Sequence, residues 1–238
     1  MTRAELSYAL AAAAANVLGA VAVTSRARWT LKAHDAMLSF AAGFMISVAL
    51  ADLLPEAIAR VGPSAATVAL VAYLLVHLTQ HTIARHFHFG EETHMVSQVV
   101  SVSALVGLLL HTFVDGVAVA SGSAVSTTLG ALVFVAVLLH KFPEGLAISS
   151  LFLAAGAGRG RALLAATALG VATIVGVLLT DQVPFLATHG LALAAGVTLY
   201  VGASNLVPEF QSKGGWRNPA SFFAGCGAYF AARALAGH

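Results

Sequence analysis

Charge is what this chain has least of. Asp, Glu, Lys and Arg make up 9% of its 238 residues, against 59% hydrophobic, where a soluble domain carries about 25% charged residues. So few charges cannot cover a water-facing surface of this size. That excludes an ordinary soluble domain and makes the bilayer the expected solvent. A basic excess is also missing: the net charge is +2, which argues against a nucleic-acid partner. Cysteine occurs once, at Cys226, so there is no internal disulfide and the redox compartment is not readable. The apolar runs lack the alternation of barrel strands, which leaves helices. The opening "MTRAELSYALAAAAANVLGAVAV" has one early Arg and an apolar run longer than a signal-peptide core, and it reads as a retained first span.

What is present is a series of apolar windows, roughly 4–24, 34–59, 64–85, 95–121, 125–153, 161–181, 185–210 and 217–236, each long enough for a helix to cross or nearly cross a bilayer. The expected fold is all-α: one polytopic transmembrane domain over 1–238 with about eight spans. Basic residues vote on orientation. Arg26, Arg28, Lys32, Arg85, Arg159, Arg161, Lys213 and Arg217 fall on one side; Arg3, Arg60 and Arg233 fall on the other. The positive-inside rule then places both termini outside the cell (inner or plasma) membrane. The longest polar insert, "HLTQHTIARHFHFGEETH" at 77–94, falls on the cytoplasmic side. It is either a solvated linker or a loop that collects metal through His86, His88 and His94; His77 and His81, one helical turn apart, fit the third span as well.

Two repeats stand out. "HTFVDGVAVA" (111–120) and "HKFPEGLAIS" (140–149) align His111 with His140, Asp115 with Glu144 and Gly116 with Gly145. "AAGFMISVALADLLPEA" (41–57) and "AAGVTLYVGASNLVPEF" (194–210) share Ala-Ala-Gly starts and a closing Leu-x-Pro-Glu. With the orientation above, each pair runs in opposite directions. The expected plan is an inverted repeat, spans 1–3 against 6–8, with spans 4 and 5 as a central pair. Such repeats characterise alternating-access carriers, whose site lies near the midplane.

Residues i and i+4 share one helix face. His111 with Asp115, and His140 with Glu144, therefore present two imidazoles and two carboxylates at one depth on antiparallel spans. That set suits Zn²⁺ as a transported substrate, with Fe²⁺, Mn²⁺ and Cd²⁺ left open. An ionised carboxylate at bilayer depth is costly unless paired, and a dication is the strongest partner. The ligands must be deprotonated to bind, so affinity should fall in acid. Pro143 removes its own amide donor and crowds the Leu139 carbonyl, which predicts a bend.

"HTFVDGVA" and "HKFPEGLA", with the eight-span plan, outward termini and histidine-bearing loop, resemble the ZIP (Zrt/Irt-like) family of divalent metal transporters. The resemblance implies that His111, Asp115, His140 and Glu144 form the primary transport site, and that the site-bearing helices move as an elevator against the others. It also implies a departure. Where many members hold a second metal, this chain has Thr112, Lys141 and Thr173, which reads as a single-metal site with the Lys141 ammonium in place of the second ion. On span seven, Ser204 and Asn205 stand where the family often has His-Glu.

Asp52 and Glu56 near the outer end of span two, and Asn205 and Glu209 near the inner end of span seven, are candidates to line the two approaches to the site. Polar helix ends facing water are the alternative reading of the same residues. Pro55 and Pro208 just before the glutamates favour local opening of both helices. Met45 is either core or a soft metal contact, and Asp181 and His189 flank an outer loop. A membrane-embedded zinc hydrolase is the alternative function, but it needs no inverted repeat, and no His-Glu-x-x-His occurs here. A metal sensor working through the histidine loop is a third. The reading is therefore a carrier and not an enzyme, with the lipid bilayer and a divalent cation as partners; its Gly- and Ala-rich faces suit a homodimer.

Overall fold

The computed structural model describes residues 3–25, 31–79, 98–211 and 214–235, without the side chains of 31–34, 98–100, 209 and 210. These residues are almost entirely helical, and none is in a strand. The helices are α1 (Arg3–Thr24), α2 (Leu31–Val48), α3 (Leu54–Val61), α4 (Ser64–Leu78), α5 (Gln98–Val125), α6 (Thr127–Ala154), α7 (Arg159–Thr180), α8 (Pro184–Tyr200), α9 (Val207–Gln211) and α10 (Arg217–Leu235). A wider π-helical turn joins α2 to α3 (Ala49–Leu53) and α8 to α9 (Val201–Leu206), so each pair is one rod. All eight expected spans therefore appear as helices or rods. Six are long and apolar enough to cross a membrane; α4 and α10 are the shorter or more polar members. The metal-collecting positions expected at His86, His88 and His94 lie outside the described residues.

Local chemistry sets the boundaries. Ser126 caps α6, its hydroxyl accepting from the Leu129 amide at 3.0 Å. This lets α5 run on to Val125, four residues past the expected end, so a single residue separates the two helices. Pro184 starts α8, where a missing amide donor costs nothing. Gly62 and Gly156 turn the chain at positive φ. Large apolar side chains such as Leu70, Leu75, Val102, Leu164 and Phe223 lie on the outside, each half exposed or more. In water this surface would aggregate; in lipid it is the expected face.

Helices α1, α5, α6 and α7 pack as one bundle, and the α2–α3 rod, α4, the α8–α9 rod and α10 as another. The two meet where α5 crosses α8 and α2 crosses α6. The inverted repeat can be followed atom by atom. A Cβ on Gly116 would strike the Thr173 carbonyl oxygen, and one on Gly176 that of Phe113. In the symmetric place, a Cβ on Gly145 would strike the Asn16 carbonyl and one on Gly19 that of Phe142. Hence α5 on α7 mirrors α6 on α1. In the other bundle Gly43 touches the Phe222 carbonyl and Gly196 that of Ala69, and both pairs of mates are separated by the offset of the second sequence repeat. Glycine is required here because the backbones approach too closely for any side chain.

The π-helical turns obey the same symmetry. Each lies just before a repeat-mate proline, Pro55 or Pro208, which cannot donate to the preceding turn. This is the opening expected next to these prolines. By contrast α6 runs unbroken through Pro143.

A candidate metal centre between two bundles

Two helical turns supply the centre. On α5, His111 and Asp115 are one turn apart; on α6, His140 and Glu144 are the same. Antiparallel packing of α5 on α6 brings the four together. One potential ligand atom from each lies within 4.8 Å of the others, and all four residues are at most 4% exposed. The imidazole rings of His111 and His140 stand 5.4 Å apart.

The focus is one oxygen, Asp115 Oδ2. His111 Nε2 lies 3.3 Å from it, His140 Nε2 3.2 Å and Lys141 Nζ 2.6 Å. His140 Nδ1 is 2.9 Å from the Ala136 carbonyl. A carbonyl only accepts, so Nδ1 carries the proton, and in the neutral ring Nε2 keeps the lone pair that a cation takes. Lys141, fully buried, also donates to Glu144 Oε2 at 2.7 Å and to Thr112 Oγ1 at 3.2 Å. Thr112 in turn donates to Glu144 Oε1 at 2.6 Å. Glu144 is thereby held on both oxygens. Thr173 is buried on α7, and its hydroxyl turns back to the Leu169 carbonyl at 3.4 Å.

A cavity touches this cluster. His111, His140, Pro143 and Glu144 form its floor, and Leu38, Leu108, Val201, Asn205 and Leu206 its walls. Those wall residues lie toward the N-terminal ends of α2 and α5 and the C-terminal end of the α8–α9 rod. Leu38, Leu108 and Val201 carried no sequence signal, being three among many apolar residues.

The other sequence candidates lie apart from the centre. Asp52, inside the first π-turn, accepts from the buried Tyr229 hydroxyl at 2.6 Å and stands 3.3 Å from Arg233 Nε. Glu56 pairs with Arg60 at the surface, at 2.8 Å. Met45 is fully buried in the apolar core beside Val48 and Leu53. Ser204 shares a hydrogen bond with Tyr73 at 2.5 Å. Asp181 is exposed, and the His189 ring lies 5.0 Å from that of Phe185, tilted by 47°. The Glu209 side chain lies outside the described residues. Asn16 was not singled out in the sequence, yet its amide is fully buried on α1 with no hydrogen-bond partner among the described residues, next to Gly145. A lone Asn in an Ala-rich span was the available signal.

The family model described as ZIP Zinc transporter matches residues 75–230, well over half of the chain. This chain belongs to the ZIP zinc transporter family. It is thus a multi-pass membrane protein of a family that transports divalent metal ions, whose members are transporters and not enzymes. The buried His/Asp/Glu cluster fits such a cargo. No curated protein matches the chain.

Proposed function

We propose that this ZIP chain carries Zn²⁺ into the cytoplasm, binding it through His111, Asp115, His140 and Glu144, and moving it by an elevator-like displacement of one bundle against the other. The observation that carries the reading is the convergence of four buried ligand atoms within 4.8 Å at the seam between two bundles. Two imidazoles with two carboxylates favour zinc over harder cations; Fe²⁺, Mn²⁺ and Cd²⁺ are the competitors. The positive-inside rule supports outward termini in the cell membrane. With that orientation the cavity faces the cytoplasm, and Asn205 lines the exit. Asp52, Glu56 and Met45 would then serve the outer approach, Glu209 the inner end, and His86, His88 and His94 would hold released metal. The whole chain acts as one transmembrane unit.

The test is reconstitution into sealed liposomes with a zinc-sensitive dye inside. Wild-type protein is expected to give saturable zinc entry, and His140→Ala or Glu144→Ala to abolish it along with high-affinity binding. Normal uptake by either variant removes these residues from the site, and absence of flux through the wild type removes the transport reading. Competition by Fe²⁺, Mn²⁺ and Cd²⁺ in the same vesicles ranks the metals.

A further inference from the structure

Two carboxylates face each other deep inside the protein, and a carrier must move them with and without cargo. When zinc is bound, the dication neutralises them. When the site is empty, something else must, because buried charges left uncompensated are among the most expensive features a protein can hold. The chain supplies half of that charge itself. Lys141 Nζ lies 2.6 Å from Asp115 and 2.7 Å from Glu144, with no exposure. Its residence is built: Thr112 accepts from it at 3.2 Å and fixes the other oxygen of Glu144 at 2.6 Å.

We propose that Lys141 is a tethered counter-cation that exchanges places with the metal ion: Nζ bridges Asp115 and Glu144 in the empty carrier and withdraws from Asp115 Oδ2 when metal arrives. The inference rests on the transport-site reading above and adds a step to it, the return of the empty carrier. Nζ and both imidazole Nε2 atoms crowd the same oxygen. A dication taking that oxygen would sit against the ammonium, and at a few ångströms the repulsion is large in a low-dielectric interior. Cargo and ammonium therefore alternate. The empty carrier can return with one of its two carboxylate charges balanced by the ammonium and both carboxylates held by hydrogen bonds from it.

Two flux measurements on the same liposomes separate this role from a merely structural one. Net zinc uptake into zinc-free vesicles requires the empty carrier to return. Exchange of labelled external zinc for unlabelled internal zinc requires only the loaded carrier. For Lys141→Met the ratio of exchange to net uptake is expected to rise about tenfold or more, since each 1.4 kcal/mol added to the return barrier slows it tenfold. An unchanged ratio, with both fluxes lost together or neither lost, overturns the proposal. Thermal unfolding in detergent gives a second readout. The metal-free variant is expected to melt below wild type and saturating zinc to restore it; an equal deficit with and without zinc assigns Lys141 a packing role only and overturns the exchange. If Lys141→Met and the alternative Lys141→Gln both fail to fold, metal-loaded wild-type crystals decide. Nζ withdrawn from Asp115 beside one ion supports the exchange, whereas Nζ still bridging both acids, or a second ion in its place, ends it. Wild type showing neither flux is the separate failure of the transport reading, and this inference falls with it.

Discussion

At the scale of single residues, the centre is organised around hydrogen-bond direction. The Ala136 carbonyl fixes which His140 nitrogen is protonated, and Thr112 both donates to Glu144 and accepts from Lys141. Thr112→Val keeps the shape and removes both bonds. Lys141 keeps both carboxylates, but Glu144 Oε1 loses its donor; a buried charged acceptor left short of one bond costs about 1–3 kcal/mol, so zinc affinity by calorimetry is expected to weaken roughly tenfold. Unchanged affinity would show that Glu144 is oriented by Lys141 alone. The pairs His111/Asp115 and His140/Glu144 were legible in the sequence because four-residue spacing dictates a shared helix face. The resemblance implied only that Lys141 stands in place of a second ion; which oxygens it reaches depends on Glu144 and Asp115 arriving from two different helices.

At the scale of elements, close helix contact is set by glycine. Gly116→Ala and Gly145→Ala push a methyl group into the backbone carbonyls of Thr173 and Asn16. Neither carbonyl can rotate away, since each belongs to a helix. Overpacking of this kind costs about 1–3 kcal/mol or more, and either variant is expected to melt several degrees below wild type in detergent. Gly227→Ala on α10 is the control: nothing lies within 4 Å of its added methyl, and the better helix former should leave stability unchanged or raise it by up to about 1 kcal/mol. Equal destabilisation at all three positions would refute the close-contact argument. The prolines announced the π-turns, but not their lengths or their repetition at symmetric positions. Helix α5 runs four residues past its expected end, and there Gly130 of α6 packs against Ser123.

At the scale of the whole molecule, the two bundles make the elevator proposal testable by crosslinks. A Cβ at Gly190 on α8 would stand 3.3 Å from the Ser121 Cβ on α5, near the span of a disulfide. Those helices belong to different bundles. Ala13 and Gly170 approach similarly on α1 and α7, within one bundle. With Cys226 replaced by serine, oxidation of Ser121→Cys/Gly190→Cys is expected to arrest zinc entry, and a reductant to restore it. Oxidation of Ala13→Cys/Gly170→Cys is expected to leave entry largely intact. Full transport by the crosslinked inter-bundle pair would exclude relative movement there.

The sequence by itself determined the medium, the number and approximate limits of the spans, the inverted plan and the four candidate ligands. Each of these follows from a local quantity: the scarcity of charge, the length of apolar runs, or a fixed spacing along one helix. Tertiary structure decided the partners across helices. Only folding shows that α5 lies on α7 as α6 lies on α1, that Asp52 is bound by Tyr229 from α10, that Asn205 reaches the cavity, and that three nitrogens converge on one oxygen of Asp115. Helical spacing says which side of a rod a residue occupies. Which rod it faces is set by how closely neighbouring backbones can approach, and in this chain that is decided by glycines packed against distant carbonyls.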